Sequence, residues 1–156
     1  MEEKLSKQSG PQKDSLLKAI KTLSAEMSHD LACIASETNA PEAAFYHFSA
    51  FNTAMLEFAG GKSQKKDKRL AVSWNELGVA HMMLEHWRLA EDCFIRSMDA
   101  LKELDDFKKV DLSFPIINLA FSYWLQERLD EADKTLAEIL AIREAAYGIN
   151  DRESFM

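Results

Sequence analysis

The fold is decided by the stretch Trp74-Asn75-Glu76-Leu77-Gly78-Val79-Ala80-His81, read together with Ala90-Glu91-Asp92-Cys93-Phe94. Sliding the chain by 42 residues superposes both stretches on a second copy of the same pattern. The superposed pairs are Leu77 with Leu119, Gly78 with Ala120, Ala90 with Ala132 and Phe94 with Leu136, while Trp74 and His81 fall on Ile116 and Tyr123. A self-match at a fixed period in this range predicts a repeat protein. Stacked repeats usually supply binding surfaces and seldom chemistry.

The small residues of the pattern have a packing role. Two antiparallel helices approach closely only where side chains are short, as at Gly78 and Ala90, and larger residues such as Leu77 and Phe94 fill the space beside that contact. The pattern therefore predicts helical hairpins over residues 70–107 and 114–147. Pro115 falls in the first turn of the third hairpin, where a proline is tolerated.

A first hairpin is predicted over residues 14–59. Its first helix begins at Asp14 or Ser15, because apolar residues then recur every three or four positions. Its second helix has Asn39 as the N-cap, Glu42 in a capping box and Pro41 in the first turn. Ala32 and Ala44 preserve the spacing of twelve that separates Gly78 from Ala90, so this hairpin is a degenerate repeat. The helical domain spans 14–149, between a flexible tail, 1–13, and a C-terminal tail, 150–156.

Composition agrees with an all-α fold. The 156 residues are 47% apolar and include only five Gly and three Pro, which favours long helices over a turn-rich β fold. A chain of this length fits one domain and buries enough surface to fold without a cofactor. We therefore predict an α-solenoid of three antiparallel hairpins.

The charge of −7 argues against nonspecific binding to nucleic acid, which requires a basic face. The exception is a basic segment from Lys62 to Arg69, read here as a solvated connection, with a phosphate-binding patch or a localisation signal as the alternatives. No apolar run reaches the ~20 residues of a membrane span, and the N-terminus lacks the apolar core of a signal peptide. The sequence predicts a cytoplasmic protein that does not bind membranes.

Motifs for chemistry are missing from the sequence. His29 and Cys33 lie four residues apart, but two ligands do not make a zinc site. Cys33 and Cys93 have no spacing typical of a disulfide framework, so we expect reduced, buried thiols. There is no G-x-S-x-G turn and no glycine-rich phosphate loop. We predict a protein that is not an enzyme and needs no metal or cofactor.

The residues also resemble a known family. The order Trp, Leu-Gly, aromatic, small residue, Phe is the tetratricopeptide signature, with His81 in the aromatic place. The period exceeds the usual 34 residues by eight, and the excess falls in residues 100–110, which we read as a longer second helix and its connection. The last repeat is similar to the longer repeats of kinesin light chains and related fungal and bacterial proteins. The residues that carry this likeness are Asn118-Leu119-Ala120, Tyr123, Leu129-Asp130-Glu131-Ala132, Ile142-Arg143-Glu144 and Tyr147-Gly148-Ile149-Asn150-Asp151.

The resemblance implies a right-handed superhelix whose concave groove is lined by the first helix of each hairpin and binds a peptide or a partner protein. Mapped onto this chain, the groove residues are Asn75, Glu76, Val79, Met82, Met83, Ile117, Asn118, Phe121, Trp124 and Leu125. Related cochaperones hold a C-terminal carboxylate with lysine and asparagine, and only Asn118 matches that pattern. A desolvated carboxylate needs a cation, so we do not expect this protein to bind the acidic tails of chaperones.

The resulting prediction is a non-catalytic scaffold or adaptor that binds a peptide or helix of a partner protein in an apolar groove. Two alternatives stay open. One is self-association into a homo-oligomer through the last hairpin, whose apolar stripe Leu136, Ile139 and Leu140 has no polar cap, although terminal repeats need one. The other is the sensor or regulatory part of a larger signalling protein. Some of the groove side chains can also be buried against neighbouring hairpins.

Overall fold

The computed structural model describes residues 10–60 and 66–148 and confirms an all-α helical repeat fold. Within these residues there are six α-helices, one short 3-10 helix and no strand. The helices are α1 (Gly10–Glu37), α2 (Pro41–Ala59), α3 (Arg69–Met83), α4 (Trp87–Lys102), α5 (Ser113–Leu125) and α6 (Leu129–Tyr147), with the 3-10 helix at Lys109–Leu112. None of the described helices is both long enough and apolar enough to cross a membrane.

Each helix packs against the next one along the chain, and α3 also touches α5. Apolar clusters join neighbouring hairpins. Phe48 of α2 packs with Leu77 and Ala80 of α3, and Phe94 of α4 packs with Leu119 of α5. A third cluster joins Leu101, Ile116, Ile139 and other residues of α4, α5 and α6. The core is therefore a continuous line of contacts between successive helices, as in a solenoid.

The same turn closes all three hairpins. Asn39, Glu85 and Glu127 have positive φ angles of 57°, 60° and 60°. The residue after each of them donates its backbone N–H to a carbonyl five residues earlier, as in a Schellman motif. These bonds run from Ala40 to Ala35 (2.8 Å), from His86 to His81 (2.9 Å) and from Arg128 to Tyr123 (2.9 Å). The prediction of Asn39 as an N-cap is wrong, because its left-handed backbone ends α1, and the cap of α2 is Ala40, with no side-chain bond.

This turn fixes the register of the first hairpin. Asn39 precedes Glu85 by 46 residues, and the same offset relates Ala44 to Ala90 and Phe48 to Phe94. All four of these alanine and phenylalanine side chains are buried. The first hairpin is thus a repeat in structure, displaced by 46 residues where the last two hairpins are displaced by 42.

The glycine of the motif is required by close contact. A Cβ on Gly78 would lie 2.6 Å from Cε1 of Phe94, a distance that real Cβ atoms do not show. The ring of Phe94 lies directly against the α3 backbone and is completely buried. Gly78 therefore serves packing, as the sequence predicts.

Most of the extra residues of the repeat form a connection, and only residues 100–102 belong to the helix α4. The predicted hairpin 70–107 is wrong at its end, since α4 stops at Lys102. The chain then folds into turns because Leu104 and Leu112 are buried in the cluster that holds Ile116. Asp111 accepts the Lys108 N–H (3.0 Å) and closes the 3-10 helix.

The first helix begins earlier than predicted. α1 starts at Gly10, so residues 10–13 are not part of a tail. Pro11 is its second residue, where the lack of an N–H costs no hydrogen bond. The predicted tails at 1–9 and 150–156 lie outside the described residues, as do Lys62 and Lys65 of the basic segment.

The described part of the basic segment is paired with acidic side chains. Lys66 lies 2.9 Å from Glu103, Lys68 lies 3.3 Å from Asp111, and Arg69 lies 2.9 Å from Asp67. All three basic residues are exposed, so the pairs contribute little stability. Because these basic charges are already paired with neighbouring carboxylates, the phosphate-binding alternative is disfavoured for this part of the segment.

Candidate interaction surface

The predicted groove residues fall into three groups. The first group is half-buried and occupied by contacts between the first helices of neighbouring hairpins. Nδ2 of Asn118 donates to Oδ1 of Asn75 (2.9 Å), which links α5 to α3. Nε2 of His29 lies 2.9 Å from Oε1 of Glu76, which links α1 to α3. The members of this group are Asn75, Glu76, Val79, Met83 and Asn118.

Met82 forms the second group and does not belong to an open groove. Its side chain is only 7% exposed and packs with Ala90, Phe94 and Leu119. The helix α5 covers it, because Met82 lies on the side of α3 that meets the next hairpin. Because the side chain is buried, the structure does not support the assignment of Met82 to the groove.

The third group is exposed and lies on α5. It consists of Ile117, Phe121, Trp124 and Leu125. The rings of Phe121 and Trp124 stack with centroids 6.0 Å apart and planes 14° apart, and Trp124 is 58% exposed. Large aromatic side chains held against each other in this way are favoured contacts at protein interfaces.

The register explains why these α5 residues are exposed. Each of Ile117, Phe121 and Trp124 follows its counterpart in the middle hairpin, Asn75, Val79 or Met82, by 42 residues. All three counterparts contact α5 or pack with its residues. In the last hairpin the same positions have no described helix to cover them.

The helix α6 extends this surface. Trp87, Phe94 and Met98 of α4 pack in the cluster that receives Leu119 and Tyr123. Their counterparts in α6, displaced by 42 residues, are all apolar and exposed. These three α6 residues and the three α5 residues with the counterparts given above form what we call the C-terminal surface: Ile117, Phe121, Trp124, Leu129, Leu136 and Leu140.

The sequence-based stripe on the last hairpin needs one correction and one addition. Leu136 and Leu140 are exposed as expected, but Ile139 is buried with Ile142 and Ile116. Leu129 belongs to the surface and was not predicted. The repeat offset could have predicted its place in the surface, because Leu129 follows Trp87 by 42 residues.

A second exposed apolar surface lies on α1 and was not predicted as a site. Leu23, Met27, Leu31 and Ile34 follow one another at spacings of four, four and three residues, so they share one side of the helix. All four are exposed. We call this set the N-terminal surface.

Near the predicted groove, the polar side chains of His29 and Cys33 lie close together. Sγ of Cys33 lies 3.9 Å and 4.0 Å from the two ring nitrogens of His29. Because the two distances are nearly equal, the thiol does not point at one nitrogen as a hydrogen-bond acceptor. Burial, and secondarily the Glu76 carboxylate, raises the pKa of Cys33, which disfavours the nucleophilic thiolate. Burial also raises the pKa of Cys93, to about 11. Across residues 10–60 and 66–148, no three His, Cys, Asp or Glu side chains are grouped to hold a metal ion.

Comparison with known families gives a match in the last hairpin. The family model described as tetratricopeptide repeat matches residues 116–153, a range that includes most of α5 and all of α6. A search of curated proteins finds no match to the chain.

Proposed function

The chain is a tetratricopeptide-type repeat protein, and we propose that it binds an amphipathic helix of a partner protein on its C-terminal surface. Repeats of this type are generally protein-interaction modules. One observation carries the proposal. Each residue of the C-terminal surface lies at the position of a residue with which the middle hairpin contacts α5. A surface that already has the pattern of a helix-binding site is matched best by another helix.

The composition of the surface supports an apolar ligand. Its six side chains are all apolar, and an exposed patch of several large apolar residues is unusual unless it serves an interaction. Covering roughly 300 Å² of apolar surface at ~25 cal/mol per Å² gives several kcal/mol before association entropy is subtracted. That driving force supports a weak to moderate interaction.

A free carboxylate is a poorer ligand for this protein. Asn118 is the only residue that matches the carboxylate clamp of related cochaperones, and its amide already donates to Asn75. No residue of the C-terminal surface is cationic. The ligand is therefore better described by its apolar side chains than by its charge.

A photoreactive amino acid tests the proposal in cells. Placed at position 124 or 136, it should crosslink the chain to a protein, and the crosslinked peptide should come from an amphipathic helix. The matched control is position 89, because Leu89 is comparably exposed but lies on α4, outside the C-terminal surface.

Three results would contradict the proposal. One is the absence of protein crosslinks at both 124 and 136 under conditions in which free probe peptides are labelled. The second is equal crosslinking at 89, which would indicate random encounters. The third is crosslinking to an extended, polar peptide, which would show that the chain binds a protein but that the ligand is not an amphipathic helix.

A further inference from the structure

The N-terminal surface occupies the positions that later hairpins use to dock. With an offset of 46 residues, Met27, Leu31 and Ile34 correspond to Ser73, Leu77 and Ala80 of α3. With a further offset of 42 they correspond to Pro115, Leu119 and Ser122 of α5. All of these α3 and α5 residues are buried, and those of α3 meet α2: Leu77 and Ala80 pack with Phe48, and Asn52 bonds to Ser73. In α1 the corresponding side chains are exposed.

We propose that the helix bound by the C-terminal surface is α1 of a second copy of this chain, so that copies join head to tail. This inference rests on the proposed function and names its partner. The contact would continue, between two molecules, the interface that already joins α2 to α3 and α4 to α5 within one molecule. A single kind of contact then covers both exposed apolar surfaces.

At the position of Leu136, the sizes of the side chains fit this contact. Leu136 occupies the position that Phe48 and Phe94 occupy in the two internal interfaces. Because leucine is smaller than phenylalanine, the C-terminal surface leaves space at this position. The docking helix compensates, because Met27 and Ile34 stand where α3 has the smaller Ser73 and Ala80. Near Leu136, a smaller side chain on one partner would thus face larger side chains on the other, as close packing requires.

The geometry also decides the kind of assembly. The two surfaces are different, so the contact is heterologous and each added copy exposes a new C-terminal or N-terminal surface. The expected assembly is open-ended and grows with concentration, unlike a symmetric dimer, which stops at two copies.

Complementation between two blocked variants of the full chain tests the proposal. Met27→Glu with Leu31→Glu blocks the N-terminal surface, and Trp124→Glu with Leu136→Glu blocks the C-terminal surface. All four side chains are exposed, so the fold should be retained, which circular dichroism checks. In sedimentation velocity the unmodified chain should form species beyond the dimer, while each variant alone should stay a monomer. An equimolar mixture of the two variants should form a complex of twice the monomer mass and nothing larger.

Leu89→Glu with Ile95→Glu is the matched control. It adds the same charge at two exposed apolar positions of α4 and should assemble like the unmodified chain. A photoreactive amino acid at position 124 of the purified protein should in addition crosslink to α1 of another copy.

Each other outcome overturns the proposal in a distinguishable way. A chain that is monomeric at all concentrations excludes the second copy as occupant; if position 124 still crosslinks to another protein in cells, the proposed function stands. Blocked variants that still dimerise alone indicate a symmetric interface. A mixture of blocked variants that stays monomeric excludes the head-to-tail contact, whatever the unmodified chain does.

Discussion

The middle and last hairpins carry the same apolar pattern in opposite surroundings. Phe94 of the middle hairpin is completely buried, whereas its counterpart Leu136 is 47% exposed. Met82 is buried, whereas its counterpart Trp124 is the most exposed residue of the C-terminal surface. The difference is not in residue type, since all four side chains are apolar. It comes from the presence of α5 on one hairpin and the absence of a described helix on the other.

This comparison separates two kinds of information in a repeat sequence. The pattern determines which side of each helix is apolar, but the neighbouring hairpin determines whether that side is core or surface. Substitutions at matched positions should therefore have unequal effects on stability, and they can be ranked by the burial of each site.

The largest difference is expected at Phe94 and Leu136. Phe94→Ala removes a buried ring and should lower the free energy of unfolding by about 3–5 kcal/mol. Leu136→Ala should change it by no more than about 0.5 kcal/mol, because the side chain is largely exposed. Denaturant unfolding at low protein concentration measures both. Equal losses at the two sites would show that the last hairpin is covered in the isolated chain.

A slightly smaller contrast is expected at Met82 and Trp124. Met82→Ala leaves a cavity beside Phe94 and Leu119 and should cost about 2–5 kcal/mol. Trp124→Ala should stay within about 0.5 kcal/mol of the unmodified chain but reduce the binding of an apolar dye such as ANS. An unaltered dye signal would show that Trp124 is not part of an accessible apolar surface.

Gly78 offers a test of the close contact inside the middle hairpin. Gly78→Ala places a Cβ against the Phe94 ring and should cost about 1–3 kcal/mol. In a Phe94→Leu background the same substitution should cost much less, because the last hairpin carries the combination of Ala120 and Leu136. A double-mutant cycle from thermal unfolding gives the coupling, and additive effects would contradict the contact.

The mildest effect is a pH dependence of the middle hairpin. Burial, and secondarily the neighbouring His86, lowers the pKa of His81, whose ring also lies against Phe45. The unfolded chain then binds the proton more readily, so stability is complete above about pH 6.5 and falls as the pH drops below it. His81→Tyr, which copies Tyr123 of the last hairpin, should reduce the difference between melting temperatures at pH 7.5 and 5.5. An unchanged difference would assign the pH dependence to other groups.

Much of the repeat could be predicted from local sequence. The all-α fold, the role of Gly78 in packing and the bounds of the last hairpin followed from periodicity and from the match between two stretches of one chain. These properties depend on neighbouring residues within a hairpin, where the 42-residue offset carries the information.

The missed features depend on contacts between hairpins or on backbone conformation. Met82 could not be told from Trp124, because both are apolar at the same position and only the covering helix differs. The end of α4 at Lys102 depends on Leu104 and Leu112 entering a cluster with Ile116, which is a tertiary contact. Asn39 is a strong N-cap residue, yet asparagine also tolerates a left-handed backbone, and the turn geometry favoured the second property.

The stability of the protein can also be increased at the hairpin turns. Glu85 and Glu127 adopt a left-handed backbone, which is unfavourable for glutamate, while the equivalent Asn39 adopts it at lower cost. Glu85→Asn and Glu127→Asn should each therefore raise the free energy of unfolding by about 0.5 kcal/mol, measured by thermal unfolding. The connections between helices are thus a place to make this protein more heat-resistant without touching either apolar surface.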